Sequence, residues 1–181
     1  MRIVHPIVLF WALCAACHGQ PGASADAPSP SASVMGIGVA LGVCDDPAVC
    51  ERECESGSAD RCRRLAATFA MGHGEERDEA RAVTLYARAC AMNDAAACVF
   101  EGQMHEYAHG VPKDDALAAK LYGRACDLGW LAGCYNSAIM LENGRGVDAD
   151  APRAAALYER VCEAGAGAGC AKAHEIEKRE R

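Results

Sequence analysis

Three residues could hydrolyse a peptide if they met around a metal ion. His105, Glu106 and His109 spell H-E-x-x-H, the pattern in which two histidines one helical turn apart bind zinc and the glutamate polarises a water. A second reactive set is larger: twelve cysteines in 181 residues. In the body of the chain no C-x-x-C faces a second C-x-x-C or paired histidines, so a zinc ribbon or finger has no ligand set. Disulfide formation is the chemistry expected of these thiols, and it requires an oxidising compartment. Two further kinds of chemistry lack their residues. No serine or threonine is followed three positions later by lysine, the nucleophile pattern of serine β-lactamases, and no H-x-H-x-D run offers the ligands of the zinc enzymes.

The rest of the chain sets how such residues are held. Apolar residues make up 51% of it but aromatics only 6%, so alanine and leucine must fill the interior, which favours closely packed helices. A formal charge of −7 leaves no basic stripe to neutralise phosphates, which excludes nucleic acid as a partner. Residues 1–16 are predicted to be a signal peptide, with Arg2 and His5 ahead of an apolar run from Ile7 to Ala16 that is too short to span a bilayer. Leu13-Cys14-Ala15-Ala16-Cys17 is similar to a bacterial lipobox with Cys17 as the lipidated residue; cleavage after Ala23-Ser24-Ala25 is the rival, and either cut exports the chain. Residues 17–43 read as a tether rich in Pro, Gly, Ser and Ala followed by an apolar segment from Val34 to Val43.

From residue 44 the chain repeats. Cys54, Cys90, Cys126 and Cys162 stand 36 residues apart, as do Cys62, Cys98, Cys134 and Cys170. Tyr86, Tyr122 and Tyr158 keep the same step, as do Arg52, Arg88, Arg124 and Arg160, and Gly74, Gly110 and Gly146. Within a unit the spacing is helical: Ala82, Leu85, Tyr86 and Ala89 fall at i, i+3, i+4 and i+7. Asp78, Asp114 and Asp150 are placed to cap second helices, Pro152 suits a first turn, and Gly57, Asn93, Gly129 and Gly165 tolerate the left-handed conformation that closes a helix. The fold expected is all-α, a tetratricopeptide-like solenoid of antiparallel hairpins over 44–181: a half unit 44–61, full units 62–97, 98–133 and 134–169, and a capping helix 170–181. In this register His105 shares a column with Phe69 and Leu141, and His109 falls in a loop, so the zinc hydrolase is a remote alternative.

The stretch CVFEGQMHEYAHGVPKDDALAAKLYGRACDLGWLAGC, Cys98 to Cys134, resembles the Sel-one-like repeat family, and most of all its cysteine-rich Helicobacter branch, in its Gly-Val loop, Leu-Tyr pair and Arg-Ala-Cys ending. That resemblance implies a helical scaffold, and it carries a second implication, β-lactam binding or slow β-lactam hydrolysis, as the alternative function. Departures from the family pattern are local, at Glu101, Ser137 and His105.

One cysteine ends each second helix and its partner begins the next helix eight residues on, which brings their Cα atoms within disulfide range. The expected bridges are Cys54–Cys62, Cys90–Cys98, Cys126–Cys134 and Cys162–Cys170, with Cys44–Cys50 as a fifth. The function expected is partner binding by a monomer, the partner a protein or peptide, with cell-wall glycan or a β-lactam as rivals, and with the membrane touched only through a lipid anchor. No catalytic residue, metal or cofactor is assigned. The positions two, five and nine after each first-helix cysteine lie on one side of the helix and define the expected binding strip: Arg64, Ala67 and Met71; Phe100, Gln103 and Tyr107; Asn136, Ile139 and Asn143. An outer-membrane lipoprotein, a periplasmic protein or a secreted one all fit the exported state.

Overall fold

The structure, a computed structural model, describes residues 42–73 and 75–180, all within a unit that runs from Ile37 to Arg181. The signal peptide, the Cys17 lipidation site, the rival cleavage point, most of the tether and Gly74 lie outside the described residues. Eight helices follow one another: α1 (Pro47–Glu55), α2 (Ala59–Met71), α3 (Glu79–Ala91), α4 (Ala95–Glu106), α5 (Asp115–Asp127), α6 (Leu131–Asn143), α7 (Ala151–Glu163) and α8 (Gly167–Glu180). Each packs on its neighbours in the chain, and α4 also touches α6, the equivalent helix of the next unit. No strand occurs among the described residues, and no helix there is long and apolar enough to cross a membrane.

Local chemistry explains the boundaries. The side chains of Asp46, Asp78, Asp94, Asp114 and Asp150 each accept a backbone N–H of a first turn, and Ser58 does the same for α2. Pro47 and Pro152 occupy first turns, where a missing donor costs nothing. Because Ser58 and Asp94 cap from outside, the first helices start ahead of the cysteine column. Cys62, Cys98, Cys134 and Cys170 are the fourth residue of their helices rather than the first. Gly57, Asn93, Gly129 and Gly165 close the second helices at φ of 102°, 67°, 88° and 87°.

Five disulfides staple the turns. Cys54–Cys62, Cys90–Cys98, Cys126–Cys134 and Cys162–Cys170 join residues eight apart with Cα separations of 4.4 to 4.6 Å, and Cys44–Cys50 spans 6.3 Å. Closing each short loop contributes about 2.5 kcal/mol on the chain-entropy account. The alanine-rich core supplies few large side chains, and the staples offset that. Apolar burial falls into two clusters, one from Cys44 through α5 that also takes in Met140 of α6, and one centred on Tyr135, Tyr158, Val161 and Ile176, where the two tyrosine rings meet edge-on at 5.4 Å.

Two devices tie successive units together. Arg88, Arg124 and Arg160 each donate to a carbonyl at or near the end of the previous unit's second helix: Glu55 O at 3.1 Å, Ala91 O at 3.3 Å and Cys126 O at 3.3 Å. A cation at that end satisfies carbonyls the helix leaves unpaired. The second device is the loop glycine. Gly110 lies on the Glu79–Ala80 backbone at the start of α3, and Gly146 lies on Asp115–Ala116 at the start of α5.

The open N-terminal end is closed differently. Thr68 stands in the column of Met104, Met140 and Ile176, yet it is fully buried. Its hydroxyl accepts the Cys44 N–H at 3.0 Å, so the backbone at Cys44, pinned by Cys44–Cys50, lies against α2 at that position.

Candidate binding surface

The first helices α2, α4 and α6 place the expected strip, and they divide it. Met71 and Tyr107 are exposed, at 44% and 54%, and belong to one column; Asn143, next in that column, is exposed at the end of α6, its amide donating to Ile139 O at 2.8 Å. Gln103, Asn136 and Ile139 are half-buried. Phe100 is drawn inward instead, its ring 5.3 Å from Tyr86. Ala67 is buried, because it turns toward the core rather than along the strip. Arg64 is held by Asp60 at 2.8 Å and lies against Gly42. The surface that remains is a short apolar ridge of Met71 and Tyr107 beside half-buried amides.

The H-E-x-x-H residues do not form a catalytic centre. Glu106 is the last residue of α4, and Ala108 then takes a left-handed φ of 58°, in the column of Gly72 and Gly144, so His109 leaves the helix. His109 faces Glu79 at 3.5 Å, while the Nδ1 of His105 is buried with no protein partner. Both oxygens of Glu106 are engaged: one accepts the Tyr122 hydroxyl at 2.5 Å and the other pairs with Arg145 of the next unit. Each oxygen of that carboxylate therefore already has a structural partner. Among the described residues no group of three or more His, Cys, Asp and Glu is close enough to hold a metal ion.

That buried glutamate belongs to a repeated arrangement which sequence reasoning missed. One unit on, Glu142 accepts the Tyr158 hydroxyl at 2.9 Å and pairs with Arg179 at 2.6 Å and Lys172 at 3.6 Å of α8. The signal was present as two columns in phase, Glu106 with Glu142 and Tyr122 with Tyr158, sixteen residues apart in both units. Burial and the neighbouring carboxylates push both hydroxyls well above the ordinary phenol range. The hydrogen bond to Glu106 holds the Arg145 guanidinium above its usual value, against burial. For Glu142, burial acts upward, but the hydrogen bonds from Arg179 and Tyr158 and the Lys172 charge outweigh it and leave the carboxyl below the usual range.

A pH dependence follows. A carboxylate whose pKa is lower folded than unfolded stabilises fully above the unfolded value of about 4.3, and loses that contribution as pH falls through the folded value. Wild type should therefore be more stable than Glu142→Gln at pH 7, with the gap closing below about pH 4. Urea midpoints for both proteins across that range measure it. A gap unchanged down to pH 2 would show that the carboxylate charge is not what holds α8.

A family model described as the Sel1 repeat matches residues 62–94, 95–130 and 131–165. Among solved structures, the chain is similar to a protective antigen of uropathogenic Escherichia coli displaying an SLR fold, at 22% identity and a TM-score of 0.72 over 74% of this chain and 29% of that one. It is also similar to a Sel1 repeat protein from Oxalobacter formigenes, at 25% identity and a TM-score of 0.65 over 68% of this chain and 51% of the other. Cysteine rich protein B of Helicobacter pylori matches at 24% identity and a TM-score of 0.55, over 68% of this chain and 89% of that one. The chain spans less than two thirds of the first two proteins. No curated protein sequence matches it.

Proposed function

The chain belongs to the Sel1 repeat family, and from that premise we propose that it is an exported scaffold whose first-helix face grips a protein or peptide partner in the bacterial cell envelope. The observation that carries the reading is the pair Met71 and Tyr107, large apolar side chains left exposed at equivalent positions of successive first helices. Stacked units align such positions into one continuous strip, and an exposed ring beside amides is the composition of a partner contact. No catalytic group enters the reading, since Glu106 is already committed to Tyr122 and Arg145.

Co-purification from envelope extracts tests it. Met71→Ala with Tyr107→Ala should weaken capture by about 2 kcal/mol, roughly thirtyfold, without lowering the melting temperature. A control on the second helices, Thr84→Ala with Lys120→Ala, should leave capture intact. Equal capture by both double variants would remove the strip from consideration. The five disulfides fit an oxidising, extracytoplasmic compartment. Lipidation at Cys17 completes the reading: a fatty-acid probe should label the wild-type chain, and equal labelling of Cys17→Ala would refute the anchor.

A further inference from the structure

The four bridges between residues eight apart are alike in span, but the disulfides differ in access. Eight of the ten cysteines, Cys44 to Cys134, are buried, at most 6% exposed. The last pair differs: Cys162 is half-buried and Cys170 is exposed. Among the described residues α8 packs mainly on α7, and no other helix covers its first turn. Cys170 is also the fourth residue of α8, where the free N–H groups of the first turn favour its release as a thiolate when a second thiol displaces it.

We propose that Cys162–Cys170 is a thiol–disulfide exchange site, and that reducing it releases the first turn of the C-terminal helix. An external thiolate bonds to the Cys170 sulfur as the Cys162–Cys170 bond breaks, and the Cys162 sulfur leaves with the electron pair and takes a proton from water. A second external thiolate then attacks the sulfur of the first, expels Cys170 as a thiolate, and departs with the first as their disulfide. Two thiols are oxidised and one bridge is reduced, which balances the electrons. The rest of α8 stays seated, because Ile176 is buried and Arg179 and Lys172 remain paired with Glu142. What loosens is the turn around Gly169, which packs directly on Tyr158 O and Val161. Access by direct exposure needs no opening of the fold, whereas the four inner bridges wait for local or global unfolding.

The test uses the exported, fully oxidised chain with reduced glutathione under native conditions, followed by alkylation and peptide mapping. Cys162 and Cys170 should become reduced at least about tenfold faster than the other eight, as expected when no opening step is required. The glutathione adduct should sit on Cys170, and hydrogen exchange should rise in the first turn of α8 and not in α2 to α6. All bridges reacting together, an inner bridge reacting first, or the adduct forming on Cys162 would overturn the proposal. In the Cys162→Ser/Cys170→Ser variant the fast phase should vanish while the inner four keep their wild-type rates. A fast phase that persists there overturns it equally.

Discussion

Glu106→Ala should cost about 3 kcal/mol of folding stability, because breaking a buried charge network by removing one member strands the others. Tyr122 would keep a hydroxyl buried in an apolar setting without its acceptor, and Arg145 would lose the carboxylate that joins its unit to the previous one. The result should appear as a lower urea midpoint with an unchanged slope. Glu106→Gln, which retains an acceptor for Tyr122, should lose less. A double-mutant cycle with Arg145→Ala separates the inter-unit tie from the bond within the unit. A loss below about 1 kcal/mol for Glu106→Ala, in the range of an exposed ion pair, would show that the network is slack.

Gly146→Ala should be at least as damaging, by about 3 kcal/mol, from two causes that can be told apart. The residue sits at a φ of 67°, and a Cβ there would lie 2.5 Å from Ala116 N and closer still to the Asp115 carbonyl. Gly165 is the internal comparison: its φ is 87°, but a Cβ on it meets nothing within 4 Å. Gly165→Ala therefore carries only the left-handed penalty of about 1–2 kcal/mol. Chemical denaturation of both variants measures the difference, which is the steric contribution of loop against helix. Equal losses would mean that the loop can lift off α5 at no cost.

What the sequence made legible was the part governed by short separations. The cysteine pairs, the caps Asp78, Asp114 and Asp150, and the closing residues Gly57, Asn93, Gly129 and Gly165 all act within a few residues, and the 36-residue step repeats each of them. Contacts that cross units were out of reach. Arg145 lies 39 residues from Glu106, and nothing in either local pattern says that they meet. The Glu106 and Glu142 column is visible in the sequence, but inside H-E-x-x-H a glutamate suggests metal chemistry, and nothing local ties it to the tyrosine column sixteen residues on. The expected strip is exposed only in part for a geometric reason: a small difference in helical phase turns Ala67 inward and lets Phe100 lean on Tyr86, while Met71 and Tyr107 at the helix ends stay outside. Thr68 carried a signal of its own, a polar residue in an apolar column, which marked the end of the stack.

The arginine and glycine ties have a consequence for how such a chain can grow. Each full unit carries a plug, the guanidinium of Arg124 or its equivalent, and a socket, the helix end on which the next plug lands. A joint whose two halves travel together in every module is indifferent to copy number. Duplicating or deleting residues 98–133 as a block would leave an arginine on a helix end at every remaining junction, although deletion would face Arg145 with Ala70 in place of Glu106, whereas shifting the block by a few residues would strand a plug at one junction and a socket at the next. Length in this architecture is therefore free to change only in whole modules, each adding one first helix to the exposed face.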